Sequence, residues 1–142
     1  MKLQIASQLA IYALLELAAE PDRHFSVAEI GEKYHVSSHH LAKVMNALGR
    51  AKLVRSVRGV GGGYQFVGNA RRTTLLDVIE QFEDVNSGVA LTGGTSPTTT
   101  EEGALRGVLD EIDNITRATL GSITIGTMLK LVERRRHVGA TR

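Results

Sequence analysis

The sequence predicts a mostly α-helical chain that carries one β-hairpin, and three observations lead there. Two consecutive stretches, 26–34 and 37–50, each open on a serine suited to capping and continue with apolar residues at helical spacing. Two β-prone runs, "LVRSV" and "YQFV", flank a knuckle with four glycines in five residues, the composition of a hairpin link. Residues 99–120 then set one long apolar stripe opposite acidic side chains.

The first twenty residues, "MKLQIASQLAIYALLELAAE", have the look of a secretion signal, but Gln4, Ser7, Gln8 and Glu16 interrupt the run. Ile5, Leu9, Ala13 and Leu17 fall at helical spacing, so a folded amphipathic helix is expected. No apolar run reaches the roughly 20 residues needed to cross a bilayer. After the loop "PDRH", Ser26 and Glu29 have the spacing of a capping box, with Phe25 and Ile30 at the staple positions. That helix is expected over Val27–Tyr34. A tight junction follows, and Ser37 caps a third helix with Val36 and Leu41 as its staple. Leu41, Val44, Met45 and Leu48 share its inner face, whereas Ser38, His39, Ala42, Lys43, Asn46 and Arg50 lie towards the other. His40 is expected to be partly buried beside Val44.

Beyond the hairpin, Thr74 and Asp77 start a short helix, "LLDVIEQFE". Residues 86–100 turn to Gly, Thr and Ser with one proline, too polar to pack a core, and are expected to be mobile. In the long helix that follows, Leu105, Val108, Leu109, Ile112, Ile115 and Thr116 form the stripe and Gly121 suits its C-cap. A last helix begins after Thr124, and Arg134, Arg135 and Arg136 complement its C-terminal dipole. Three units result: 1–84, a flexible loop at 85–98, and 99–142.

Composition narrows the function. At 42% hydrophobic and 23% charged residues the chain is a folded one, and with no cysteine it has neither disulfides nor thiolate chemistry. The lack of cysteine agrees with a cytoplasmic location. Residues 1–72 hold ten Lys/Arg against five Asp/Glu, while residues 73–142 hold seven against ten. A basic front half suits a polyanionic partner.

The glycine knuckle has three readings. A nucleotide P-loop requires Gly-Lys-Ser/Thr, and no lysine follows these glycines. A dinucleotide fingerprint from Gly59 wants glycine where Tyr64 stands and lacks a βαβ frame. The enzyme reading fails. A bare hairpin turn explains two glycines but leaves Arg55 and Arg58 and the preceding helices unexplained. Two capped helices joined by a tight turn and followed at once by a hairpin give the order of a winged helix-turn-helix. Its second helix enters the major groove, and its wing lies on the backbone or minor groove, where arginine is attracted and small Gly59 and Gly61 permit close approach. The DNA-binding set is therefore Ser38, His39, Lys43 and Asn46 on the helix, with Arg55, Arg58, Gly59 and Gly61 in the wing.

The residues "SVAEIGEKYHVSSHHLAKVMNALGRAKLVRSVRGVGGGYQF", with "TLLDVIEQFE" and "ITIGTML", resemble the iron–sulfur cluster regulator (IscR) and nitric-oxide-sensitive repressor (NsrR) family of bacterial transcription factors. The resemblance spans nearly the whole chain and is strongest in the wing. It implies a homodimeric winged-helix repressor or activator whose long helix crosses its counterpart. A stripe of that length in so small a chain also wants a second surface, the alternative being burial within its own monomer.

Cluster-binding members of that family carry three cysteines before the dimer helix, where this chain reads "SGVALTGGTSPTTTEEGAL". Glu101, Glu102 and Asp84 supply hard oxygens there, mismatched to such iron. No cofactor is expected; residues 86–100 are read either as the contact for a small-molecule or protein effector in place of the cluster, or as a linker with no sensing role. The five histidines form no HExxH motif, and His35 and His39 straddle a turn, so no metal site is assigned. The expected function is a sequence-specific DNA-binding regulator, a homodimeric repressor on a palindromic operator. The alternative is a metal- or small-molecule-responsive sensor that acts mainly through a partner protein.

Overall fold

The computed structural model describes residues 2–86 and 99–140. Its elements run α1 (Ile5–Ala19), α2 (Val27–Tyr34), α3 (Ser38–Arg50), β1 (Val54–Val57), β2 (Gly63–Phe66), α4 (Leu75–Ile79), α5 (Thr100–Ser122) and α6 (Ile125–Ala140). The two strands form one antiparallel hairpin, with Val54 opposite Phe66 and Val57 opposite Gly63.

α1 departs from the amphipathic helix expected. Ser7, Leu9, Ala10, Ile11, Ala13, Leu14, Leu17 and Ala18 are buried on several sides, while Ile5 is 68% exposed. It is the central pillar, packed by α3, α4 and α6. A helix covered from several directions has no need of a single apolar stripe.

The starts of α2, α3 and α4 are fixed by local chemistry. Ser26 Oγ accepts from Glu29 N at 3.1 Å, and Glu29 Oε1 accepts from Ser26 N in return. Ser37 Oγ accepts from His40 N at 3.2 Å, and Thr74 and Asp77 form a second reciprocal box. Each cap is worth about 1 kcal/mol against alanine. Both staple pairs sit in the core region, with Phe25, Ile30 and Leu41 buried and Val36 packed at its edge. α2 ends on His35 in the left-handed conformation (φ 56°), where Val36 N reaches back to Gly31 O at 2.9 Å. That turn swings the chain directly into α3.

At the far end of α2, Glu16 on α1 accepts hydrogen bonds from Tyr34 Oη and Lys33 Nζ, and Tyr34 stacks on Tyr12 at 5.1 Å. Burial pushes the Glu16 carboxyl up, but these two donors, with the positive charges of Lys33 and Arg136, more than reverse it and hold it below its ordinary value. Burial and the Glu16 contact raise Tyr34.

α4 is shorter than expected and gives way to turns after Ile79. Gly121 lies inside α5, which runs on to Ser122 and is followed by Ile123 in an extended conformation. The 85–98 loop lies outside the described residues except for Val85 and Asn86, and Val85 is buried at 5% exposure.

Candidate nucleic-acid interface

α3 presents its faces as the sequence reading expects. Leu41, Val44, Met45 and Leu48 are buried, and Ser38, His39, Lys43, Asn46 and Arg50 are exposed. His40 is exposed too, contrary to the partly buried position expected. As the third residue past the cap it turns away from the core that Leu41 enters. His39 and Lys43 stand one helical turn apart.

The wing departs from β1 four residues after α3 ends. Its inward residues, Val54 and Phe66, are buried, so Arg55 and Gln65 project outward. Gly59 and Gly61 take φ of 107° and 77° with nothing within 4 Å of where a Cβ would stand, and Val60 at the tip is fully exposed. These two glycines give the tip its turn and leave it bare. Gly63 has another reason to be glycine. A Cβ there would stand 2.3 Å from the Phe25 carbonyl oxygen, because Phe25 and Tyr64 exchange backbone hydrogen bonds of 2.8 and 2.7 Å. That isolated bridge makes residue 25 a third strand position and anchors the wing to the entrance of α2. Tyr64 is half-buried and packs against the core at the base of the wing.

The electrostatics are one-sided. From residue 33 to residue 76 the chain holds eight Lys/Arg and no Asp/Glu. The ion pairs of the described residues engage Arg23 with Glu20 and Glu29, Lys33 with Glu16, and Arg117 with Glu80. Lys43, Arg50, Lys52, Arg55, Arg58, Arg71 and Arg72 enter no ion pair among the described residues. Arg58 and Arg55 are exposed on the wing, and Arg71 and Arg72 on the turn that follows it. Arg50, Lys52, Arg71 and Arg72 lie outside the DNA-binding set expected from the sequence, but they are exposed in the same way, and the run without carboxylates signals them.

The model of the family Rrf2, described as an iron-dependent transcriptional regulator, matches residues 3–131. The chain belongs to the Rrf2 family. The Rrf2 assignment makes it a DNA-binding transcription regulator with a winged helix-turn-helix. It is 48% identical over 136 residues to the HTH-type transcriptional regulator BadM of Rhodopseudomonas palustris, covering 96% of this chain and 86% of that one. The solved structure of CymR, the global cysteine regulator of B. subtilis, superposes with a TM-score of 0.77 at 22% identity, over 92% of this chain and 98% of that one. IscR of T. potens superposes with a TM-score of 0.70 at 25% identity, covering 95% and 90%. These likenesses match the mostly helical fold with one hairpin and the long helix near the C-terminus.

The chain offers no thiolate to the iron of this Rrf2 description. The chain has no cysteine, and among the described residues no three His, Asp or Glu are grouped to hold a metal ion. Imidazole and carboxylate are poor substitutes for thiolate around an iron–sulfur cluster. No described helix is long and apolar enough to cross a membrane.

Proposed function

We propose that this Rrf2 regulator is a cytoplasmic homodimer that represses transcription by occupying a palindromic operator. One observation carries the reading: the same chain joins a basic stretch, in which Lys43, Arg50, Lys52, Arg55, Arg58, Arg71 and Arg72 enter no ion pair among the described residues, to an α5 whose apolar stripe is exposed. The first provides charge for a polyanion, and the second provides a surface for a second copy. Two copies related by a dyad read two inverted half-sites, hence a palindrome.

Within a half-site, Ser38, His39, Lys43 and Asn46 face the major groove, and Arg58 enters or borders the minor groove. Arg55 reaches the backbone, while Gly59 and Gly61 allow the tip to approach it closely. Selection of bound sequences from random duplex DNA tests this reading. A consensus with two inverted half-sites is expected, and a single asymmetric site overturns the palindrome. Alanine at His39 or Lys43 is expected to change the bases selected as well as weaken binding. If both variants select the wild-type consensus, the base readers lie elsewhere.

No cluster takes part in this scheme, and the signal is a small molecule or a partner protein. Protein purified without oxygen is expected to be colourless and to bind its operator unaided. Near-stoichiometric iron and sulfide in that preparation, with affinity that changes on their removal, would defeat the proposal.

A further inference from the structure

Arg55 and Gln65 are cross-strand partners in the wing, both directed away from the core. An Arg55 guanidinium nitrogen donates to Gln65 Oε1 at 2.6 Å, and Gln65 Nε2 donates to the carbonyl oxygen of Pro21 at 3.0 Å. The side chain of Gln65 thus links the outer face of the wing to the turn between α1 and α2. That link lies beside the backbone bridge between Phe25 and Tyr64, so the wing is held to this region by main chain and side chain together.

The chemistry of the link selects glutamine. Arg55 can only donate and the Pro21 carbonyl can only accept, so the group between them must accept on one side and donate on the other. A primary amide does both. Glutamate would accept from Arg55 but repel the carbonyl, and an apolar side chain of equal length would do neither. The amide is also neutral. It orients the guanidinium through one of its five N–H groups and leaves four, with the full positive charge, for another acceptor. Arg23, by contrast, has its charge spent on two carboxylates a few residues away.

We infer that Gln65 is a positioning residue for DNA binding: it holds Arg55, still charged and only partly hydrogen-bonded, in place to meet a backbone phosphate. The inference rests on the reading of Arg55 as a DNA contact. A long arginine otherwise loses rotamer entropy when it binds, and a neutral clamp removes part of that cost beforehand.

The full-length protein and a duplex selected by it from random sequence provide the test. Affinity is measured over a salt series for the wild type, Gln65→Met, Gln65→Glu, Arg55→Ala and the double variant Gln65→Met/Arg55→Ala. Thermal unfolding of each checks the fold, and Gln65→Glu keeps the acceptor for Arg55 if Gln65→Met folds poorly. Gln65→Met is expected to weaken binding about three- to tenfold in the wild-type background and not at all in the Arg55→Ala background. Gln65→Glu is expected to weaken it further and to lower the salt slope by about one, since it neutralises a phosphate-facing cation. An equal loss from Gln65→Met in both backgrounds would overturn the inference. So would a neutral Gln65→Met beside a damaging Arg55→Ala, although Arg55 then remains a DNA contact. If Arg55→Ala itself binds as the wild type does, the reading of Arg55 is wrong and the clamp falls with it.

Discussion

A cation serves a polyanion best when no carboxylate of its own chain competes for it. Among the described residues Lys43, Arg55 and Arg58 meet that condition, whereas Arg23, Lys33 and Arg117 are tied to glutamates. Arg58 has the strongest case, directly before the bare tip formed by Gly59, Val60 and Gly61. Arg58→Ala is expected to cost roughly 1–3 kcal/mol of operator affinity and to lower the salt slope by about one. Unchanged binding by a variant with an intact circular dichroism spectrum removes Arg58 from the interface. Lys43 is readable in the sequence from its place in the helical spacing of α3, and Arg55 and Arg58 from their place before the glycine link. The hold of Gln65 on Arg55 was not readable. It depends on a carbonyl at Pro21, 44 positions away, which no local pattern reports.

Capped helices and a glycine-rich link are local devices, and they account for the legibility of α2, α3, α4 and the wing. Ser26, Ser37 and Thr74 all cap where their spacing says they should. Misread features depended on surroundings instead. α1 is buried from several directions because three helices converge on it, and Gly121 stays helical because α5 continues past it. The bridge from Phe25 to Tyr64 belongs to the same non-local class, and it sets different demands on the glycines of one loop. At Gly61 a side chain has open space and meets only a left-handed backbone, a cost of about 1–2 kcal/mol. At Gly63 it meets unfavourable φ and the Phe25 carbonyl together. Gly63→Ala is therefore expected to destabilise the protein by about 2–3 kcal/mol, clearly more than Gly61→Ala. Denaturant midpoints of the two variants decide this. Equal midpoints would mean that the bridge contributes nothing.

Across the whole molecule, α5 carries an apolar stripe that the described residues of its own chain leave largely exposed. Its C-terminal end is rooted: Arg117 pairs with Glu80, and residues 73–75 exchange backbone hydrogen bonds with Ile123 and Ile125. No residue of α5 is buried, and Leu105, Val108, Ile112 and Ile115 are 41–58% exposed. In an isolated chain such a stripe costs solvation free energy on every turn, and a second copy laid across it removes that cost. The stripe itself was legible from helical periodicity, but whether the monomer would cover it was not, since that depends on where α4 and α6 pack. Exposure now makes a clean test available. Val108 and Ile115, at 58% and 57% exposure, touch no core, so Val108→Glu/Ile115→Glu is expected to leave the monomer folded. In a dimer the same carboxylates would be buried without partners, a penalty of several kcal/mol. Light scattering is expected to show a folded monomer whose operator affinity falls to that of a single half-site. The circular dichroism spectrum is expected to stay that of the wild type. A dimer that persists at wild-type concentrations would assign the two-fold contact to another surface.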